Sequence, residues 1–187
     1  NEEAFDEAYM THTSTSPNYQ ILASLDVGRA QAELEGYQLV QRQAELAMNL
    51  MDAVDNHPRI GKYFRFLGTP DMIPARYRQS GIDSPLRGGF SQMEKAWRHD
   101  EVVRDPSRLT LLVGASGIDG DTFKHSYLMD KYGIQVNKTS RNSVLFMTNI
   151  GTTRSSVAYL IEVLAKISEE LDDELAQLGP LGRRARD

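Results

Sequence analysis

Apolar residues recur at three- and four-residue steps over several stretches of this chain, and alternate with polar ones over others. Phe5, Ala8 and Tyr9 share one side of a short predicted helix over 1–11. From Pro17 onward Ile21, Leu22, Leu25 and Ala30 keep a helical spacing, which Gly36 is expected to interrupt. Between Tyr37 and Val54 the period is strong: Leu39, Val40, Ala44, Leu46, Ala47, Leu50, Met51 and Val54 form a continuous stripe, which His57-Pro58 ends. Residues 59–107 are broken by Gly61, Gly68, Pro70, Pro74, Gly81, Pro85, Gly88 and Gly89. They predict a short strand at Tyr63–Leu67, a long surface loop over 69–89, and one or two helical turns from Phe90 to Trp97. The remainder alternates: a strand at Leu109–Val113, a helix at Thr122–Tyr132, an extended piece at Ile134–Asn137, a strand at Val144–Thr148 and a helix at Ser155–Leu175. That last helix should bury Val157, Leu160, Ile161, Leu164, Ile167 and Leu171. With Leu111, Val113, Val144 and Phe146 these give an α/β unit in which helices cover one face of a small sheet.

Five consecutive polar positions, His12, Thr13, Ser14, Thr15 and Ser16, run into Pro17. Such a run cannot be a core strand, because its oxygens would need partners and Pro17 has no N–H. It suits a helix start, with Thr15 or Ser16 as cap and Pro17 in the first turn. Hydroxyls and free amides at a helix start also suit an anion such as phosphate.

The segment from Phe5 to Asp26, FDEAYMTHTSTSPNYQILASLD, resembles the pyridoxal-phosphate-dependent ornithine/lysine/arginine decarboxylases of the aspartate-aminotransferase fold. So does a second block: Asp105–Val113 (DPSRLTLLV), Tyr132–Thr139 (YGIQVNKT) and Val144–Gly151 (VLFMTNIG). The resemblance implies the end of a large cofactor-binding domain (1–34), a linking helix (35–58), a small α/β C-terminal domain (59–178, with a loop insertion near 69–89) and a tail (179–187). It implies that Ser14, with Thr15 and His12 beside it, meets the phosphate of pyridoxal 5'-phosphate across a dimer interface. It places Asn137 and Lys138 at the substrate mouth, where the family usually carries an acid in place of Asn137. The family's Ser-x-His-Lys motif is absent; the only adjacent pair is Lys124-His125, in the reverse order. The expectation is therefore a fragment of a basic amino acid decarboxylase, inactive alone, completed by the upstream part of the same enzyme in a homodimer or higher homo-oligomer. A non-catalytic interaction or regulatory module with the same fold is the alternative.

Composition narrows the remaining classes. The 187 residues carry a net charge of −5, which does not suggest a nucleic-acid partner. There are no cysteines, which excludes disulfides and thiolate chemistry and suits a reducing cytoplasm, the expected location. No apolar run reaches membrane-span length. His12, His57, His99 and His125 lack ligand spacing, so no metal is expected. One competing motif is a strand followed by Gly114, Gly117 and Gly120, the spacing of a NAD(P)-binding βαβ turn. Its position deep in the chain, with no further βα units after it, argues against that reading. The acidic run Glu169–Glu174 reads as the exposed face of the last helix.

Overall fold

A computed structural model describes residues 2–14, 16–84 and 86–178. The chain divides into two compact units between Gln38 and Leu39. Helix α1 (Glu2–His12) and the first half of helix α2 (Tyr19–Asn56) make up the first; the second half of α2 and everything after it make up the second. Helix α2 runs unbroken through Gly28 and Gly36, so the expected interruption does not occur. Two glycines cost it about 1 kcal/mol each, which a helix rich in Ala, Leu, Gln and Glu can bear. Its cap is Asn18, whose Oδ1 accepts from the amides of Gln20 and Ile21 at 3.1 and 3.2 Å. Ser16 is therefore not the cap and Pro17 lies outside the helix. Thr15, the other expected cap, lies outside the described residues, as does the expected tail over 179–187.

The second unit follows the hydrophobic pattern closely. After α2 come α3 (Ile60–Tyr63), β1 (Arg65–Phe66), α4 (Thr69–Met72), a 3-10 turn (Ala75–Tyr77), α5 (Phe90–His99) and β2 (Arg108–Leu112). A second 3-10 turn (Gly114–Ser116) leads into α6 (Gly120–Thr122), a π-helical segment (Phe123–Met129) and α7 (Asp130–Tyr132). Strands β3 (Lys138–Ser140) and β4 (Ser143–Met147) form a hairpin, and α8 (Arg154–Gln177) closes the described chain.

The four strands lie in the order β1-β2-β4-β3. The expected mixture of helices and a small sheet is present. The strands pair antiparallel throughout, whereas an α/β label implies parallel pairs. The extended piece expected at 134–137 is displaced: the strand is Lys138–Ser140. The expected strand at 63–67 shrinks to Arg65–Phe66, because Ile60–Tyr63 is helical. The 69–89 segment is not a bare loop; it holds α4 and the first 3-10 turn, and buries Thr69, Ile73 and Leu86.

Alternation along β2 and β4 puts Leu109, Leu111, Val144 and Phe146 on one face. They join Ala44, Ala47, Leu50, Met51 and Val54 of α2 and Val157, Leu160, Val163, Leu164, Ile167 and Leu171 of α8 in one buried cluster. Val163 replaces Ile161 among the fully buried residues; Ile161 packs at the margin.

The acidic half of α8 is not simply a solvated face. Arg59 Nη1 reaches Glu169 at 2.9 Å, Lys62 Nζ reaches Asp172 at 2.5 Å and Lys131 Nζ reaches Glu170 at 2.5 Å. The Tyr63 hydroxyl also donates to Asp172 at 2.6 Å. These bases offset acids that lie poorly near a helix C-terminus. The hydrogen bond from Lys62, then that from Tyr63, holds the Asp172 carboxyl below the usual carboxylate range. Its contribution is thus fully present above the ordinary carboxylate pKa and is lost as pH falls through the depressed folded value. Both partners of the Lys62–Asp172 pair are more than a third exposed, so solvent screening limits it to at most about 1 kcal/mol. Asp172→Asn should therefore be less stable than wild type at neutral pH, with the difference shrinking in acid. Denaturant titrations across pH check this; a difference that does not change with pH would show that ionisation of Asp172 contributes nothing.

Candidate functional site

The hydroxyl run lies between α1 and α2. Its side chains divide by what already engages them. The last turn of α1 takes two of them: Thr13 Oγ1 donates to Tyr9 O at 2.5 Å and His12 Nδ1 bonds Ala8 O at 2.8 Å, as Thr11 Oγ1, just ahead of the run, donates to Glu7 O at 2.8 Å. A carbonyl only accepts, so Nδ1 carries the proton in that bond. Ser14 differs. Its Oγ accepts from Ser16 N at 3.3 Å and donates to Ser16 O at 3.4 Å, both long for hydrogen bonds, and the residue is exposed. Its hydroxyl proton can turn toward a ligand. Asn18 already takes the amides of Gln20 and Ile21, so those two amides are not open to an anion. The sequence held the signal for this cap, an Asn just ahead of the helix, and Pro17 drew the expected start two residues too early.

Asn137 and Lys138 belong to the second unit. The Asn137 amide donates to Leu145 O at 3.0 Å, and Lys138 pairs in register with Leu145. Both side chains are exposed at the start of edge strand β3.

The glycine-rich turn after β2 is explained by packing. Gly117 has φ +74°, the left-handed region that favours glycine. A Cβ on Gly120 would collide with Ser140 O and stand 2.7 Å from Ser143 O, while the Gly120 amide donates to Arg141 O at 2.9 Å. The anion seat at the following helix start is filled by Asp119, whose Oδ1 accepts from the amides of Asp121 and Thr122 at 3.1 and 3.0 Å. Hydrogen bonds from the Thr122 side chain and amide hold that carboxyl below its usual range, so it would repel a phosphate. Strand β4 also lies between β2 and β3. A dinucleotide-binding βαβ turn is excluded by these contacts.

A sequence model described as "Orn/Lys/Arg decarboxylase, major domain" matches residues 1–156. The chain belongs to this decarboxylase family. It is 28% identical over 182 residues to the inducible lysine decarboxylase of Escherichia coli K12, covering 92% of this chain and 25% of that protein. It is 26% identical over 190 residues to the constitutive ornithine decarboxylase of the same organism, covering 90% and 26%. Among solved structures, the E. coli constitutive lysine decarboxylase matches with a TM-score of 0.62 at 25% identity, over 90% of this chain and 24% of that one. The Francisella novicida lysine decarboxylase matches with a TM-score of 0.61 at 27% identity, over 92% and 25%. The chain thus spans about a quarter of the length of the relatives it matches.

No group of three His, Asp or Glu side chains among the described residues could hold a metal ion. No described helix is long and apolar enough to cross a membrane. A groove of about 440 Å³ in the second unit, lined by Ile134, Phe146, Thr148, Asn149, Tyr159 and Leu160 among others, contains no carboxylate, amine or imidazole. The packing account of the glycines makes a sharp contrast. Gly120→Ala should destabilise the protein by about 1–3 kcal/mol, as overpacking does. Gly114→Ala, whose Cβ would meet only Asn142 atoms at 3.6 Å and beyond, should be far milder. Thermal melts of the two variants decide it, and equal melting temperatures would contradict the close approach at Gly120.

Proposed function

We propose that this chain is a segment of a cytoplasmic, pyridoxal-phosphate-dependent decarboxylase of lysine, ornithine or arginine, releasing CO2 and a diamine or agmatine. The family match over residues 1–156 carries the reading. In it, residues 1–34 end the large cofactor-binding domain, 35–58 link it onward, and 59–178 form the small domain. In this reading the rest of the same enzyme supplies the cofactor lysine, because the chain has no Ser-x-His-Lys motif, and the chain alone is expected to be inactive.

The donor set fits a phosphate. An exposed serine hydroxyl with long existing contacts can donate to a phosphate oxygen without placing another base beside the reacting centre. Ser14 is the anchor, and Thr15 is a second hydroxyl next to it. His12, tied to Ala8 O, shapes the loop more than it binds. Pyridoxal phosphate, when bound, supplies the electron sink for the pair released as CO2 departs. The phosphate contact reaches a cofactor held mainly by the neighbouring subunit of a homodimer. At the substrate mouth Asn137 can hydrogen-bond a basic side chain but cannot neutralise it, and Lys138 adds a second cation nearby.

A hydrogen bond to a charged phosphate oxygen contributes about 1.5–3 kcal/mol. Ser14→Ala in the whole enzyme should therefore weaken cofactor retention by about one to two orders of magnitude. Ser14→Ala/Thr15→Ala should lose more, and activity should become more dependent on protein concentration. Cofactor dissociation followed by absorbance, with sedimentation to read the dimer, checks both. A double variant that retains cofactor like wild type, with an unchanged dimer, would make the loop a plain connector.

A further inference from the structure

Arg104 is 8% exposed, deep for a group that stays charged at any physiological pH. It sits just ahead of β2, where one guanidinium nitrogen donates to Leu67 O and Nη2 donates to Arg108 O at 2.9 Å. Two of its five N–H donors are thus committed to carbonyls, and three remain. Among the described residues no carboxylate comes within ion-pair distance of it. Asp71 and Asp105 are the carboxylates that act on it from farther off. Each is already engaged: Asp71 with Arg65 at 2.7 Å and the Gly68 amide at 2.6 Å, Asp105 with Ser107 and with Arg108 at 3.3 Å. Burial lowers the guanidinium's affinity for its proton, and these two acids offset that only in part.

A buried cation without a direct counter-charge is costly, and an arriving anion relieves that cost. The surroundings give one room to arrive. Arg104 borders a groove of about 390 Å³, within the range of small-molecule sites. The groove lies on the face of the sheet opposite the core. Thr110 and Leu145, directly paired across β2 and β4, belong to that face, as does Arg108. Its walls are Met72, Ile73, Val102 and Val103, of which Met72, Val102 and Val103 are 51, 43 and 42% exposed. Asp105 is the one acid in the lining. An apolar wall beside two guanidinium groups, one of them buried, selects a ligand that is anionic at one end and apolar along its body.

We propose that this groove is a binding site for a small carboxylate with an apolar body, its carboxylate held by Arg104 and Arg108 and its body lying on Met72, Val102 and Val103. The site owes nothing to the hydroxyl loop or to the decarboxylation reading, and binding alone tests it.

The probes are hexanoate, hexylamine and inorganic phosphate, each titrated into the full 187-residue chain by calorimetry, with the Met72 methyl followed by NMR. Hexanoate should saturate and move the Met72 methyl. Hexylamine, with the same body and opposite charge, should not bind, and phosphate, which lacks the body, should bind at least about tenfold more weakly. Val103→Asp changes an exposed wall residue and leaves the fold intact; it should weaken hexanoate about tenfold or more. Arg104→Met, if it folds, should abolish the preference for hexanoate over hexylamine; if it does not fold, Val103→Asp decides. Equal binding of hexylamine would reduce the groove to a nonselective apolar surface. Absence of saturation by hexanoate, or an undiminished affinity in Val103→Asp, would overturn the site.

Discussion

Burial of one face of the β2–β4 ladder is the interaction on which the second unit depends. Leu109, Leu111, Val144 and Phe146 are dry only because α8 and the second half of α2 contribute to the same cluster. Each large side chain taken fully out of water contributes about 1.5–3 kcal/mol. The ion pairs between α8 and the residues around α3 and α7 contribute at most about 1 kcal/mol each, being half-exposed. Burial therefore fixes where α8 lies, and the salt bridges adjust how its acidic end is tolerated. The same ladder sets the close approach of Gly120 to the β3–β4 hairpin, and its other face carries the Arg104 groove.

The first unit is built differently. None of the described residues of α1 is buried, and the buried residues of α2 begin only at Ala44. Phe5, Tyr9, Tyr19, Ile21, Leu22, Leu25, Val27 and Leu34 are all well exposed. The stacked pair Phe5–Tyr9, 6.4 Å between centroids, is a local i,i+4 contact and not a core. An 11-residue helix with no tertiary burial is marginal in water. A loop that is to hold a phosphate needs firm support. In the proposed enzyme that support comes from the remaining polypeptide and from the partner subunit, which is where the exposed apolar residues would find cover.

Periodicity made much of the second unit legible. The stripes of α2 and α8 and the alternation in β2 and β4 depend on the chain's own burial, and burial is what periodicity records. Val163 lies inside the stripe and Ile161 at its margin, a difference in rotation about the helix too small for spacing alone to resolve. What the sequence hid rests on contacts between distant residues. The 69–89 segment is held by polar ties such as Arg87 to Asp55 and the Ser80 amide to Asp100 at 2.6 Å, which leave no periodic trace. Strand β3 is a polar edge, Lys-Thr-Ser, recognisable only once its partner β4 is known. The hydroxyl loop was readable as a motif and the resemblance singled out Ser14, but the ties of Thr11 and Thr13 to helical carbonyls were not readable, because they depend on where α1 ends. Arg104 carries no local signal at all; its burial is set by the carbonyls of Leu67 and Arg108.

Native-state hydrogen exchange on the 187-residue chain tests the central claim, a self-sufficient core in one unit and none in the other. Amides of β2, β4 and the Leu160–Leu171 part of α8 should exchange only through global unfolding, with a common dependence on denaturant. Amides of α1 and of α2 before Gln38 should exchange orders of magnitude faster, with little dependence on denaturant. Protection of α1 equal to that of α8 would contradict the account, since it would require a core that the first unit does not show.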